Sequence, residues 1–341
     1  MKAYASILLA ALIGCSRADS VAAERYKHPS ARVHTLARDV ETKLQDERDP
    51  AHVFPLPKSF GYMTPGEDPS PEHPGGTVYM LAGPAGVSAV TIAEWDLASG
   101  KAIHRAMLPQ ASDYPHNVVA HEGGALHFVN TGSDQRHYYT KFSPDLKVLS
   151  RTRMDELYGD AKTIASDGKV TVIAGCHVWM GAAGPCFAAT YDERGAPIAH
   201  SSIDGNLQEF EEMHDGAAVV DGNVYLLLLR DGDLHVVEFG RDLTPITTSI
   251  VPMQDADKFR DSTLRVRAGR LVVDAPPAQY EFSPDLADVK EAPRVAPPEP
   301  RFIGRAWCQE HVRLGRVDAF NCWRNDTEES FVAWDTYDGE P

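Results

Sequence analysis

The sequence predicts an all-β chain, specifically a six-bladed β-propeller, and three observations carry that expectation. A short segment running from an aromatic residue into a turn recurs at Trp95, Phe142, Tyr191, Phe239, Phe282 and Trp334, with starts 47, 49, 48, 43 and 52 residues apart. An alternating apolar and polar stretch precedes each one (SAVTIAEW, HYYTKF, CFAATY, LHVVEF, AQYEF, ESFVAW), and period-two alternation marks a half-buried strand. Upstream, glycine-centred hairpins recur around Gly123, Gly168, Gly222, Gly269 and Gly315, where glycine supplies the positive φ of a tight turn. Four strands per unit at a period of this size indicate propeller blades.

Within each unit the hairpin supplies the first and second strands. The alternating stretch is the third, and the segment after the turn is the fourth. In the first blade TVYMLAG is the second strand and SFGYMTP, from Ser59, the best candidate for the first. The last blade reaches Pro341 straight after its third strand, and HVFPLP, residues 52–57, resembles the fourth strands elsewhere. It is therefore expected to complete that blade and lock the ring. PGEDPSPEHPGG, residues 65–76, reads as a Pro/Gly loop too polar for a core, and RVAPPEPRF as the linker into the last blade.

Ahead of the ring, Lys2 and an apolar run over residues 3–14 form a segment too short to span a bilayer as a helix. Leu12-Ile13-Gly14-Cys15 resembles a bacterial lipobox, which implies acylation of Cys15 and anchoring by several chains. Cleavage after Ala18 or Ala23 as an ordinary secretory signal is the alternative. Ser16 favours the outer membrane. The expected organisation is a lipoprotein signal over 1–14, a tether over 15–51 and the propeller over 52–341. In the tether, Val33, Leu36, Ala37, Val40 and Leu44 fall at helical spacing behind a Ser30 cap.

Export to an oxidising compartment predicts that the other four cysteines pair. Cys176 and Cys186 are placed symmetrically about Gly181, and Cys308 and Cys322 about Gly315, as two hairpins require. A zinc site would want C-x-x-C knuckles, which the sequence lacks. Lys and Arg number 33 against 49 Asp and Glu, a formal charge of −16. That balance disfavours nucleic acid as a partner and suits a soluble surface.

The repeats resemble those of bacterial secreted propeller lipoproteins of the broad quinoprotein-like and TolB-like kind. WDLASGK is similar to a turn common in quinoprotein-like propellers. FSPDL resembles the S-P-D-G of TolB-type repeats, with Leu in place of Gly and a position after the third strand. The resemblance implies architecture over residues 52–341 and no particular activity. A pyrroloquinoline quinone enzyme of this kind would want more blades and a disulfide of adjacent cysteines, which this sequence lacks.

No H-E-x-x-H, G-x-S-x-G or P-loop occurs. DGDLHVVE and DGNLQEFEE have calcium-like oxygen spacing but continue as ordinary acidic turns. The best site argument is positional. In a propeller the first strand of each blade lines the channel, so the residues entering those strands share one face. They are His116 and Asn117, Asp160 and Lys162, His214 and Asp215, Arg260 and Asp261, and Trp307, with His177 and Trp179 on a disulfide-clamped loop overhanging the same funnel. Such a funnel suits a cation, a sugar or a peptide. Polar residues at strand starts also simply cap turns.

The reading is a membrane-anchored extracytoplasmic propeller that binds an envelope protein or small ligand at its funnel without catalysis of its own, and no cofactor is assigned. Two alternatives stand. One is an extracytoplasmic hydrolase or lyase using His116, His214, Asp215 and Asp261 for acid–base or metal chemistry, with Glu209, Glu211 and Glu212 as further ligands to a divalent cation. The other is a structural envelope component.

Overall fold

The computed structural model describes residues 53–56, 60–82, 89–109, 118–131, 136–154, 160–179, 182–205, 207, 216–252, 262–275, 278–292, 302–303, 306–324 and 329–336. The signal, Cys15, Ser16, the tether helix and the linker residues 293–301 lie outside the described residues.

Six antiparallel sheets follow one another along the chain. Blade 1 is β2 (Phe60–Pro65), β3 (Thr77–Ala82), β4 (Ala89–Asp96) and β5 (Lys101–Pro109), with β1 (Val53–Leu56) set aside for the last blade. Blade 2 is β6 (Val118–Glu122), β7 (Ala125–Thr131), β8 (His137–Phe142) and β9 (Val148–Arg153). Blade 3 is β10 (Asp160–Ser166), β11 (Val170–Trp179), β12 (Ala182–Asp192) and β13 (Pro197–Ile203). Blade 4 is β14 (Ala217–Val220), β15 (Asn223–Arg230), β16 (Asp233–Phe239) and β17 (Pro245–Ile250). Blade 5 is β18 (Thr263–Arg267), β19 (Arg270–Ala275), β20 (Ala278–Phe282) and β21 (Val289–Ala292). Blade 6 is β22 (Phe302–Ile303), β23 (Ala306–Leu314), β24 (Val317–Arg324) and β25 (Glu329–Thr336), with β1 on its outer edge.

The expected closure is present. Val53 to Leu56 pair in register with Ala333 to Ser330, so residues from opposite ends of the described chain share one sheet. Pro55 sits on this outermost strand, where a missing N–H costs nothing. The innermost strands β2, β6, β10, β14 and β18 pack in succession, and β2 also packs beside β23. Apolar clusters join blade 6 to blade 1, blade 1 to blade 2, blade 2 to blade 3, and blades 3, 4 and 5 to one another.

The recurring aromatic segment has a structural reason. In each of five blades, the carbonyl two residues after the aromatic accepts a hydrogen bond from a side chain of the preceding blade. Tyr79 Oη donates to Pro144 O at 2.8 Å, Lys141 Nζ to Glu193 O at 2.9 Å, and Thr190 Oγ1 to Arg241 O at 2.7 Å. Tyr225 Oη donates to Pro284 O at 2.8 Å and Trp334 Nε1 to Leu97 O at 2.8 Å. Blade 6 takes its fourth strand from β1. Each such bond contributes about 1 kcal/mol net, and together they tie successive blades at one rim.

The Leu that replaces Gly in these turns is also explained. Leu146, Leu243 and Leu286 have φ of 58°, 61° and 56°, left-handed values that cost a β-carbon residue about 1–2 kcal/mol. All three side chains are buried in the interblade cores, which offsets the strain. Leu243→Ala loses the burial and keeps the strain, whereas Leu243→Gly loses the burial and removes the strain. Denaturant unfolding is therefore expected to show the glycine variant more stable than the alanine variant by about 1 kcal/mol.

Residues 65–76 are better packed than their composition suggests. Gly75 and Gly76 are buried, and a Cβ on Gly75 would lie 3.0 Å from Leu97 Cβ. Gly76 has φ of 77° and accepts from Leu97 N at 3.1 Å. The lack of side chains lets this loop lie flat against the turn of blade 1, while its Glu and Pro residues face outward.

Candidate functional site

Every innermost strand starts at the same mouth of the channel, and the second-to-third-strand hairpins end there. At this entry end three ladders are interrupted, those of the innermost strands β2 and β10 and that of β23, which carries the two-residue β22 on its inner side. Pairing skips residues 61–62 in β2, Lys162 in β10 and Gln309 in β23. Such bulges turn a residue out of the ladder and re-aim it.

Of the expected funnel positions, Asp160 and Lys162 lie at the start of β10, with Asp160 opposite Cys176. Lys162 is half-buried at its bulge. Trp307 lies near the start of β23, opposite Phe302 on one side and Trp323 on the other. His116, Asn117, His214, Asp215, Arg260 and Asp261, with Glu209, Glu211 and Glu212, lie outside the described residues.

His177 and Trp179 differ from expectation. They belong to strand β11 rather than to a clamped loop, and pairing with β12 continues past the disulfide to Val178–Ala183 and Trp179–Ala182. The ladder resumes after a register shift between Cys176 and Val178, so backbone pairing carries the hairpin beyond the disulfide. Both expected disulfides are formed between directly paired residues, Cys176 with Cys186 and Cys308 with Cys322, each with Cα atoms 3.9 Å apart.

At the opposite mouth the first-to-second-strand turns interlock across blades 1 to 4. His121 Nδ1 lies 3.2 Å from Gly66 O, and Ser166 N donates to Glu122 Oε2 at 2.6 Å. The Asp167 carboxylate accepts from Lys169 N, Val170 N and, in the next blade, Gly222 N, at 2.8–2.9 Å. A Cβ on Gly123 would come within 2.2 Å of Gly168 N, so only glycine permits this approach. His121, Glu122 and Asp167 at this end thus hold successive blades together.

Two groups of titratable residues, neither singled out by motif, emerge from packing. Between blades 2 and 3, fully buried His127 lies with Nδ1 2.8 Å from Tyr139 Oη and Nε2 3.1 Å from Glu122 O. A carbonyl only accepts, so Nε2 carries the proton and Nδ1 accepts from the tyrosine. Thr171 Oγ1 lies 3.3 Å from Tyr139 Oη, and Ser166 Oγ lies 3.0 Å from Thr171. Burial pushes His127 down to about 4 and Tyr139 up to about 12. On blade 1, two residues apart on one face of β4, Glu94 and Asp96 each hold an imidazole. His104 Nδ1 lies 2.7 Å from Glu94, which also accepts from Thr77 Oγ1 at 2.8 Å. His73 Nδ1 lies 2.7 Å from Asp96, and that hydrogen bond raises His73 above its ordinary value. Burial pushes Asp96 up, but hydrogen bonds from Ser99 and His73 prevail and leave it below the usual carboxylate value. The Asp96 pair pins the 65–76 loop to the β4–β5 turn. The only sequence signal for either group was a polar residue on an otherwise core-facing strand.

Among the described residues no group of three or more His, Cys, Asp or Glu is placed to hold a metal ion. No protein-family model matches the chain, and no curated protein matches it in sequence. Similar solved structures include that of the Dos1 propeller, with TM-score 0.44 and 8% identity, covering 80% of this chain and 67% of that one. TolB from Acinetobacter baumannii gives 0.40 and 11%, covering 79% and 66%. The Neurospora crassa Pan2 WD40 domain gives 0.39 and 8%, covering 83% and 90%. The chain spans about two thirds of the first two. The propeller assignment here rests on sheet order and register: six blades in succession, closed by β1 on β25.

Proposed function

We propose that this protein is a lipid-anchored propeller of the bacterial cell envelope that binds a partner or ligand at the entry mouth of its channel, with no catalysis of its own. The observation that supports this reading most is the contrast between the two mouths. At one, the turns of blades 1 to 4 interlock, while at the other the ladders of β2, β10 and β23 are interrupted, in β10 at Lys162 and in β23 two residues from Trp307. A rigid ring with such a mouth is suited to recognition. Anchoring through Cys15 is read from the lipobox resemblance, and Ser16 favours the outer membrane.

The test separates the two parts. Cys15→Ser is expected to move the protein from the membrane fraction to the soluble fraction, and unchanged partitioning would refute the anchor. Cross-linking in the producing cell, with and without Asp160→Ala and Lys162→Ala, is expected to lose a specific adduct in the variants. Metal analysis of the Cys15→Ser protein beside His214→Ala, Asp215→Ala would replace this reading with the metal-enzyme one if stoichiometric metal were present and lost in the variant.

A further inference from the structure

We propose that the rim carrying the third-to-fourth-strand turns docks on a lipid bilayer surface, a proposal that rests on the anchoring reading only for which face meets the membrane. In blades 1 to 4 the outer strand departs from its ladder at the same place, a few residues after the turn. Pairing skips Ile103 in β5, Leu149 in β9, Ile198 in β13 and Ile246 in β17. A bulge re-aims the side chain it carries, and all four residues are large aliphatics left 37–59% exposed. Blade 5 reaches a similar result by another route. Its turn is one residue longer, with Ser283 N bonding Asp288 O where Ser143 N of blade 2 bonds Lys147 O. Its ladder then runs without a shift, and Val289, first in β21, is 41% exposed.

Exposed aliphatics scattered singly need no explanation. These recur beside one turn in five successive blades, and equivalent positions in a ring of similar blades lie at one height. Each also has an exposed cation beside the same turn: Lys101, Lys147, Arg194, Arg241 and Lys290. Aliphatic and cationic side chains interleaved in this way suit the membrane interface, where the apolar groups enter the acyl boundary and the long basic side chains reach headgroup phosphates. The turn aspartates are engaged by their own loops: Asp145 pairs with Lys147, Asp192 accepts from Arg194 N and Ala196 N, and Asp242 accepts from Thr244 N. A peptide segment would meet neighbouring blades, whereas a plane meets all five.

The path of the chain agrees. Every fourth strand starts at this rim, and β1 is the fourth strand of blade 6. Its Val53 pairs towards the end of β25 and its Leu56 towards the start, so the chain enters β1 from the rim. Residues 16–52, which connect Cys15 to β1, therefore join the ring on the side that carries the aliphatic series. An acyl anchor at Cys15 would hold that side near the bilayer and raise its effective concentration there.

The experiment is flotation of the Cys15→Ser protein with vesicles of phosphatidylethanolamine and a minority of phosphatidylglycerol. Binding that half-saturates at about millimolar lipid is expected. It should change little in about 0.5 M salt, because apolar contact supplies most of it. So weak an affinity does not retain the protein at the lipid dilution of cell fractionation, where the anchor decides. Leu149→Ser with Ile246→Ser should weaken binding about tenfold. Met107→Ser with Ile250→Ser removes aliphatics that are 72% and 54% exposed towards the far ends of β5 and β17, and should leave binding unchanged. All four residues are exposed, so melting temperatures should stay the same in both double variants. No flotation at millimolar lipid, or an equal loss in the two double variants, would overturn the proposal. Self-association without lipid that Leu149→Ser with Ile246→Ser abolishes would also overturn it and make a second copy the occupant. Either result leaves the anchor standing, since fractionation of the Cys15→Ser variant tests it separately.

Discussion

A chain beginning at Lys58 is expected to melt about 10 °C below one beginning at His52, and to aggregate as concentration rises. The six residues that separate them contain β1, whose four residues pair with Ser330 to Ala333 of β25. Removing β1 forfeits backbone hydrogen bonds worth about 1 kcal/mol each and uncovers Phe331, Val332 and Ala333, all fully buried. A loss of about 4 kcal/mol, at roughly 2–4 °C per kcal/mol for a domain of this size, gives the expected shift. The exposed edge of β25 then becomes a template for pairing with other chains. Equal melting temperatures, measured by circular dichroism at several concentrations, would show that β1 does not close the ring.

The second large effect is acid lability centred on His127. Its folded-state value lies near 4, below the ordinary 6.5 of an exposed imidazole, because burial disfavours the charged ring. The unfolded chain therefore binds the proton more readily. Stability from this residue is fully present above pH 6.5 and is lost progressively as pH falls from 6.5 towards 4. That interval corresponds to about 3 kcal/mol. His73 works in the opposite direction: raised by Asp96, it stabilises below 6.5 and its contribution fades as pH rises through its folded value. His127→Gln keeps a polar side chain next to Tyr139 but cannot take up a proton. It should be less stable than the parent at pH 7 by about 1–2 kcal/mol, the loss of a buried hydrogen bond, and should destabilise much less between pH 6.5 and 4. Parallel pH dependence in parent and variant would move the acid response elsewhere.

Much of the ring was legible because propeller blades repeat their chemistry. The six aromatic segments fix the third strand and its turn, and the hairpin glycines fix the first two strands. SFGYMTP is the best candidate for the first strand of blade 1 within that period, and HVFPLP reads as the outer strand of blade 6 because it resembles the other fourth strands. The cysteine pairs were readable because hairpins place symmetric positions opposite each other. The ties between blades were not. Their donors are Tyr79, Lys141, Thr190, Tyr225 and Trp334, which differ in chemistry and strand position while reaching one repeated carbonyl, so no sequence period records them. The bulges at Lys162 and Gln309 were equally hidden, since one skipped residue barely disturbs an alternating pattern.

The sequence by itself determined the number of blades, their strand order, both disulfides and the strand that closes the ring, because each depends on residues close together or repeating at a fixed interval. Only the tertiary structure decided which polar side chains are consumed in holding blades together. His127 and Asp167 reach partners in the next blade at hydrogen-bond distance, and those partners are set by how one sheet packs on the next, while Asp96 reaches His73 of the 65–76 loop within blade 1.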